Sequence, residues 1–355
     1  MRIITVKSNG SIKEEATITR RQVFTKIHEI AEKYLSHVHD SGILTTDMDG
    51  VLIYDDNAIM AAKIISCQQA QEVYAAYAYA NTIAVAKGKT AYCWYAPTLF
   101  VGQMLKGLSS EINRAIGRNV RLIPGARKHI EKLLELGYDI TTVTAGHEDA
   151  AEEVSDRVNI GITHGTKLGV SEDGFYDGTI KHFTGGTHKL SVVKKILELE
   201  GMLAGTHVGD SWSDVETLAG IPNSIAFNPG CELALRNAKI SVIGYSLLSL
   251  LPFFDSEGKY DEAMNGTNMP EIVIIMEGQP TPENAQALLN ISKAIKKYTI
   301  GEFLDDAECH VSEIEMRIKT ELAEKGVNFK TSVIDFLHVK EFDAYAKKAY
   351  EELEQ

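Results

Sequence analysis

The spacing of apolar residues changes several times along the chain, and each change marks an element. In residues 18–38, ITRRQVFTKIHEIAEKYLSHV, Val23, Ile27, Ile30, Ala31 and Leu35 share one helical face. A helix is predicted there, after a short strand over residues 1–6. GILTTD then reads as a strand, and Gly50 supplies the turn that follows. Residues 56–120 are mostly helical in pattern and rich in Ala and Tyr, as in EVYAAYAYANTIAVAKG. LIPGARKHIEKLLELGYDITTVTAG reads as turn, helix, turn and strand, with Pro124 and Gly125 opening the helix and Gly137 stopping it. A helix follows over residues 147–160. LGVSEDGFYDGTI pairs two strands around a DG turn. THKLSVVKKILELEG is helical, THVGDSWSD leads from a strand into a helix, and NSIAFNPG is strand and turn.

Strands that alternate with helices predict an α/β fold with a parallel sheet covered on both faces. The apolar run at residues 240–254, ISVIGYSLLSLLPFF, is shorter than a bilayer span and contains Pro252, so it reads as buried strand and helix. Beyond residue 259 the character changes. EGKYDEAMNGTN is a polar break, EIVIIM is a strand, and helices are predicted over 282–298, 309–325 and 339–354. The chain thus divides into an N-terminal helix with the start of the core (1–55), a helical insertion (56–120), the rest of the core (121–258) and an α-rich C-terminal extension (259–355). The extension carries no chemical motif and is a candidate lid, partner-binding or homo-oligomer element.

Composition narrows the partners. With 355 residues and 44% hydrophobic content the chain builds a sizeable core. A formal net charge of −13 argues against nucleic acid, which needs a basic surface. It does not argue against a small phosphorylated substrate, because a bound cation overrides the global sign locally. The N-terminal stretch has no signal-type apolar core, no membrane association is expected, and the four scattered cysteines suit reduced thiols. The expected location is cytoplasmic.

Four stretches carry the chemistry. LTTDMDGVL sets Asp47 and Asp49 two apart at the end of an apolar run, where two like charges call for a cation between them. ITTVTAG ends a strand at Thr144 and Ala145. Lys189 stands in the first turn of the helix after FTGGTH. GDSWSD supplies Asp210 and Asp214. In an open α/β sheet such groups meet at the carboxyl ends of the strands. Carboxylates there suit Mg²⁺, while a Thr hydroxyl and a Lys ammonium suit phosphoryl oxygens. A carboxylate can also act as the nucleophile. The histidines lack partner cysteines at zinc-ligand spacing.

These motifs, in this order, resemble the haloacid dehalogenase superfamily of phosphohydrolases, over roughly residues 40–235. The helical insertion after the first motif and the EDG hairpin resemble its phosphoserine phosphatase-like branch. The resemblance implies a Rossmann-like core with an inserted helical cap, and a Mg²⁺-dependent phosphatase acting on a small phosphorylated metabolite through an aspartyl-phosphate. It implies Asp47 as nucleophile and Asp49 as general acid and base. Thr144, Ala145 and Lys189 would hold the phosphoryl group, and Asp47, Asp49, Asp210 and Asp214 would form the metal site. The second motif reads Thr144-Ala145-Gly146 where the branch has Ser-Gly-Gly, and Ser211 and Ser213 replace its Gly and Asn, which weakens serine phosphate as the substrate. A phosphotransferase, or an idle fold serving as a binding protein, are the alternatives. Asp56, Glu72, Arg114 and Arg118 are the cap residues expected to meet the substrate.

Overall fold

The computed structural model describes residues 2–7, 11–15, 20–35, 42–87, 90–199, 205–255, 272–277, 280–301, 307–335 and 351. Ten strands lie in one sheet: β1 (Arg2–Lys7), β2 (Ile12–Glu15), β3 (Ile43–Thr46), β4 (Asp139–His147), β5 (Ile162–Val170), β6 (Tyr176–His182), β7 (Thr206–Gly209), β8 (Asn223–Phe227), β9 (Ile240–Ile243) and β10 (Ile272–Glu277). Their order is β2-β1-β10-β9-β8-β7-β3-β4-β5-β6. From β9 across to β5 the six central strands run parallel. Strands β3, β7, β8 and β9 are buried at every position, as expected of strands covered on both faces.

The first helices are α1 (Arg20–Tyr34), α2 (Asn57–Ile65), α3 (Cys67–Lys87), α4 (Thr90–Leu105) and α5 (Glu111–Asn119). They are followed by α6 (Ala126–Glu135), α7 (Glu148–Val158), α8 (Thr187–Leu199), α9 (Val215–Gly220), α10 (Glu232–Asn237), α11 (Pro282–Gly301) and α12 (Ala307–Glu324). Local chemistry sets several of their ends. Asp56 caps α2 by accepting from Ile59 N–H at 2.9 Å. Gly125 precedes α6 at φ +77° and Gly137 follows it at φ +87°, both in the region that favours glycine. Ala126, His129, Ile130 and Leu133 form the buried face of α6. The hairpin falls where expected, with β5 antiparallel to β6 and Gly174 at φ +83° in the turn.

The insertion forms α2 to α5, and its core is continuous with that of the sheet. Phe100, Met104, Leu108 and Ile112 belong to the same buried cluster as Leu44, Met48 and Val208. The C-terminal extension is more integrated than the sequence division implies. Strand β10 pairs antiparallel with β9 and parallel with β1, so a strand of the extension joins β1 and β2 to complete one side of the sheet. Helix α11 packs through Ala285, Leu288, Leu289 and Ile295 onto Leu235, Ile243 and Met276. Helix α12 packs on α5 and α2, burying Ile314, Ile318 and Leu322. The predicted helix over 339–354 lies almost wholly outside the described residues. No helix among the described residues is long and apolar enough to cross a membrane.

Candidate active site

Strand β3 lies between β4 and β7, all three parallel, so their carboxyl ends open on one edge. Asp47 follows β3, Thr144 lies near the end of β4, and Asp210 follows β7. The loop after Asp47 winds around the Met48 carbonyl, which accepts from Leu52 N–H at 2.8 Å and Ile53 N–H at 3.1 Å. Gly50 holds φ +80° there. A Cβ on Gly50 would lie 2.5 Å from Cγ of Asp210, so the turn and the acidic site approach only because this residue is glycine.

Lys189, fully buried in the first turn of α8, stands between two carboxylates. Its Nζ is 3.0 Å from Asp47 Oδ1 and forms a short ion pair with Asp214 Oδ1. Oδ1 of Asp47 also accepts from Met48 N–H at 2.8 Å. Asp214 Oδ2 accepts from the N–H groups of Asp210 and Ser211, each at 3.1 Å. His207 Nε2 lies 3.2 Å from Asp214 Oδ1, and its Nδ1 lies 2.9 Å from Thr45 Oγ1. An ionised carboxylate only accepts, so Nε2 carries the proton and Thr45 donates to Nδ1.

Environment separates the acids. Burial opposes ionisation of Asp214, but Lys189 and His207 overcome it and hold the carboxyl well below the usual range. Burial, then the charge of Asp214, pushes Asp47 well above that range against the pull of Lys189. Burial, then Asp56 and Asp47, raises Asp49 as well, although Asn57 N–H donates to its Oδ1 at 3.1 Å. Burial lowers His207 despite its Asp214 partner, which keeps the imidazole neutral.

Oxygens of Asp47, Asp210 and Asp214 lie within 4.8 Å of one another. Asp210 Oδ1 is buried and has no hydrogen-bond partner. Three converging carboxylates with an orphaned oxygen fit a hard divalent cation such as Mg²⁺. Asp49 stands apart from this trio, with Oδ2 close against Gly146, where a Cβ would come within 2.6 Å of it.

A cavity opens beside the acids, lined by Asp47, Asp49, Asp56, Asn57, Thr144 and Ala145, with Tyr77, Trp94, His147, Ser211 and Ser213 also facing it. Thr144 Oγ1 accepts from Gly146 N–H at 3.0 Å, which leaves its own proton free to donate. Of the four cap residues expected at the substrate, Asp56 lines the cavity and Glu72, Arg114 and Arg118 do not. Arg114 pairs instead with Asp149 at 2.9 Å and Glu152 at 3.1 Å on α7. Arg118 bridges Glu111 and Glu153 to Glu321 of α12. Both arginines tie helices together, and no residue of α5 is among those lining the cavity. Sequence reasoning missed Asn57, Trp94 and His207. Asn57 Nδ2, Trp94 Nε1 and His147 Nδ1 are buried without partners beside the cavity.

No known family profile matches the chain. A phosphoserine phosphatase of Archaeoglobus fulgidus is 27% identical over 129 residues, which is 36% of this chain and 37% of the relative. The match therefore spans little more than a third of that relative's length. Among solved structures, a phospho-aspartyl intermediate analogue of phosphoserine phosphatase aligns at TM-score 0.50 and 20% identity, covering 60% of this chain and 98% of the other. The fold is that of the haloacid dehalogenase phosphoserine phosphatases. A gene product of Archaeoglobus fulgidus aligns over more of the chain, with TM-score 0.57, 18% identity, 73% of this chain and 96% of the other. The phosphoserine phosphatase fold accounts for the parallel core.

Proposed function

We propose that the chain is a Mg²⁺-dependent phosphatase that hydrolyses a small phosphorylated metabolite through an aspartyl-phosphate. The observation that carries this reading is Asp47. It ends the central strand at the cavity floor, with Lys189 3.0 Å away and two further carboxylates around it. The phosphoserine phosphatase solved as a phospho-aspartyl analogue supports the same chemistry.

Met48 N–H and Lys189 hold Asp47 Oδ1, which leaves Oδ2 as the attacking oxygen. Attack by Oδ2 forms the acyl-phosphate bond as the bond to the leaving oxygen breaks. Asp49, whose ionisation burial disfavours, is suited to hand a proton to that oxygen. In the second half the same carboxylate takes a proton from the water that attacks the acyl-phosphate. Thr144 Oγ1 and the Lys189 ammonium stabilise the transferring phosphoryl oxygens. Mg²⁺, held by Asp47, Asp210 and Asp214, would neutralise charge on the phosphoryl group.

The test is hydrolysis of p-nitrophenyl phosphate with Mg²⁺ and with excess EDTA, for the wild type and for Asp47→Asn. Turnover is expected only in the Mg²⁺-loaded wild type. An amide cannot form the acyl-phosphate, so wild-type rates in a sequence-verified Asp47→Asn preparation would sink the assignment. A panel of phosphorylated metabolites would then name the substrate.

A further inference from the structure

Lys296 lies outside every motif of the site, on α11 of the C-terminal extension. Its Nζ stands 2.8 Å from Asp210 Oδ2. Its neighbour Ile295 is buried with Ala285, Leu288 and Leu289 against Leu235, Ile243 and Met276, which fixes the helix that delivers the lysine. The pair is sheltered, with Asp210 4% exposed and the lysine side chain 26% exposed. Lys296 takes Oδ2 of Asp210, and Oδ1 is the buried oxygen without a partner.

The charges can be counted. Three carboxylates, Asp47, Asp210 and Asp214, converge there and pair with two ammonium groups, Lys189 and Lys296. When all are ionised the cluster carries a net charge of −1, and without the Lys296 ammonium it carries −2.

We infer that Lys296 is a positioning residue and counter-charge for the metal site. Through Oδ2 it fixes Asp210 with Oδ1 presented, and it weakens the grip of the site on a divalent cation. The C-terminal extension thereby sets how tightly the metal is held. This inference rests on the Mg²⁺ site of the proposed function. Losing Lys296 has two opposed effects. Asp210 gains rotational freedom, which weakens binding slightly. Repulsion between an ammonium and a divalent ion a few ångströms apart disappears, and at a sheltered site this second effect is the larger.

The experiment is calorimetric titration of Mg²⁺ into the full chain, comparing wild type, Lys296→Met and Lys296→Arg at one ionic strength. Lys296→Met keeps the aliphatic stem and is expected to bind Mg²⁺ roughly tenfold more tightly. Lys296→Arg keeps the charge and is expected to stay within about twofold of wild type. Structural damage loosens a metal site, so tightening separates this role from a merely structural one. Equal or weaker binding by Lys296→Met, in protein with a wild-type unfolding transition, overturns the inference. If Lys296→Met does not fold, Lys296→Gln carries the same comparison. A chain that shows the Lys296 effect yet hydrolyses no phosphomonoester would sink the phosphatase reading and leave this inference standing. A wild type that binds no Mg²⁺ overturns both.

Discussion

His207 and Asp214 face each other across 3.2 Å with neither side chain reached by solvent. Asp214 in turn pairs with Lys189, and Lys189 with Asp47, so the imidazole steadies Asp47 from two residues away. Replacing His207 by Leu removes a hydrogen bond to a buried carboxylate. A loss of about 1–3 kcal/mol is expected. Urea unfolding of the variant checks it, and an unchanged midpoint would mean that His207 only fills space.

Gly50→Ala places a methyl group against the Asp210 carboxylate and puts an L side chain at φ +80°. The backbone strain alone costs about 1–2 kcal/mol. Asp210 must also move, so Mg²⁺ affinity should fall by at least roughly tenfold. Titration of the variant decides this, and wild-type affinity would mean the loop absorbs the methyl group.

Arg118→Ala tests whether the cap arginines meet substrate. Its side chain is 29% exposed and engaged with Glu111, Glu153 and Glu321. KM is expected to stay at the wild-type value, with stability falling by about 1 kcal/mol or less. A large rise in KM at unchanged stability would return Arg118 to the substrate site.

The motifs were legible because their positions follow from local chemistry. Asp47 ends an apolar run before a glycine turn, and Lys189 opens a helix after a glycine pair. What lay hidden depends on partners far along the chain. His207 acquires its role only when β7 pairs beside β3, which brings Thr45 to its Nδ1. Lys296 is one lysine among several in a helix without a motif, and only the docking of α11 gives it Asp210. Arg114 and Arg118 suggested anion binding by charge alone. Helix α5 gives no residue to the lining of the cavity, and its arginines are taken up by the carboxylates of α7 and α12. Strand β10 was legible as a strand, but its place beside β1 was not, since pairing partners leave no mark in either segment.

His129 is 1% exposed, its Nδ1 has no partner, and burial lowers its pKa to about 3. The folded state therefore resists a proton that the unfolded chain accepts below its ordinary value near 6.5. Stability from this group is complete above that value and is lost as pH falls toward the folded pKa, by about 1.4 kcal/mol per unit. His129→Leu should flatten the decline in unfolding free energy measured by urea titration between about pH 6 and pH 4.5. An identical slope in the variant would show that the loss comes from other groups.

The pairing of β1 with β10 also dictates an order of events at the ribosome. Arg2 lies opposite Ile272, so β1 has no partner at its inner edge until β10 emerges. At typical synthesis rates that interval is on the order of tens of seconds. The parallel core, whose strands lie between residues 43 and 243, can close long before then. Strand β10 and α11 therefore join after the parallel core, and the nascent chain acquires its acidic centre before it acquires Lys296.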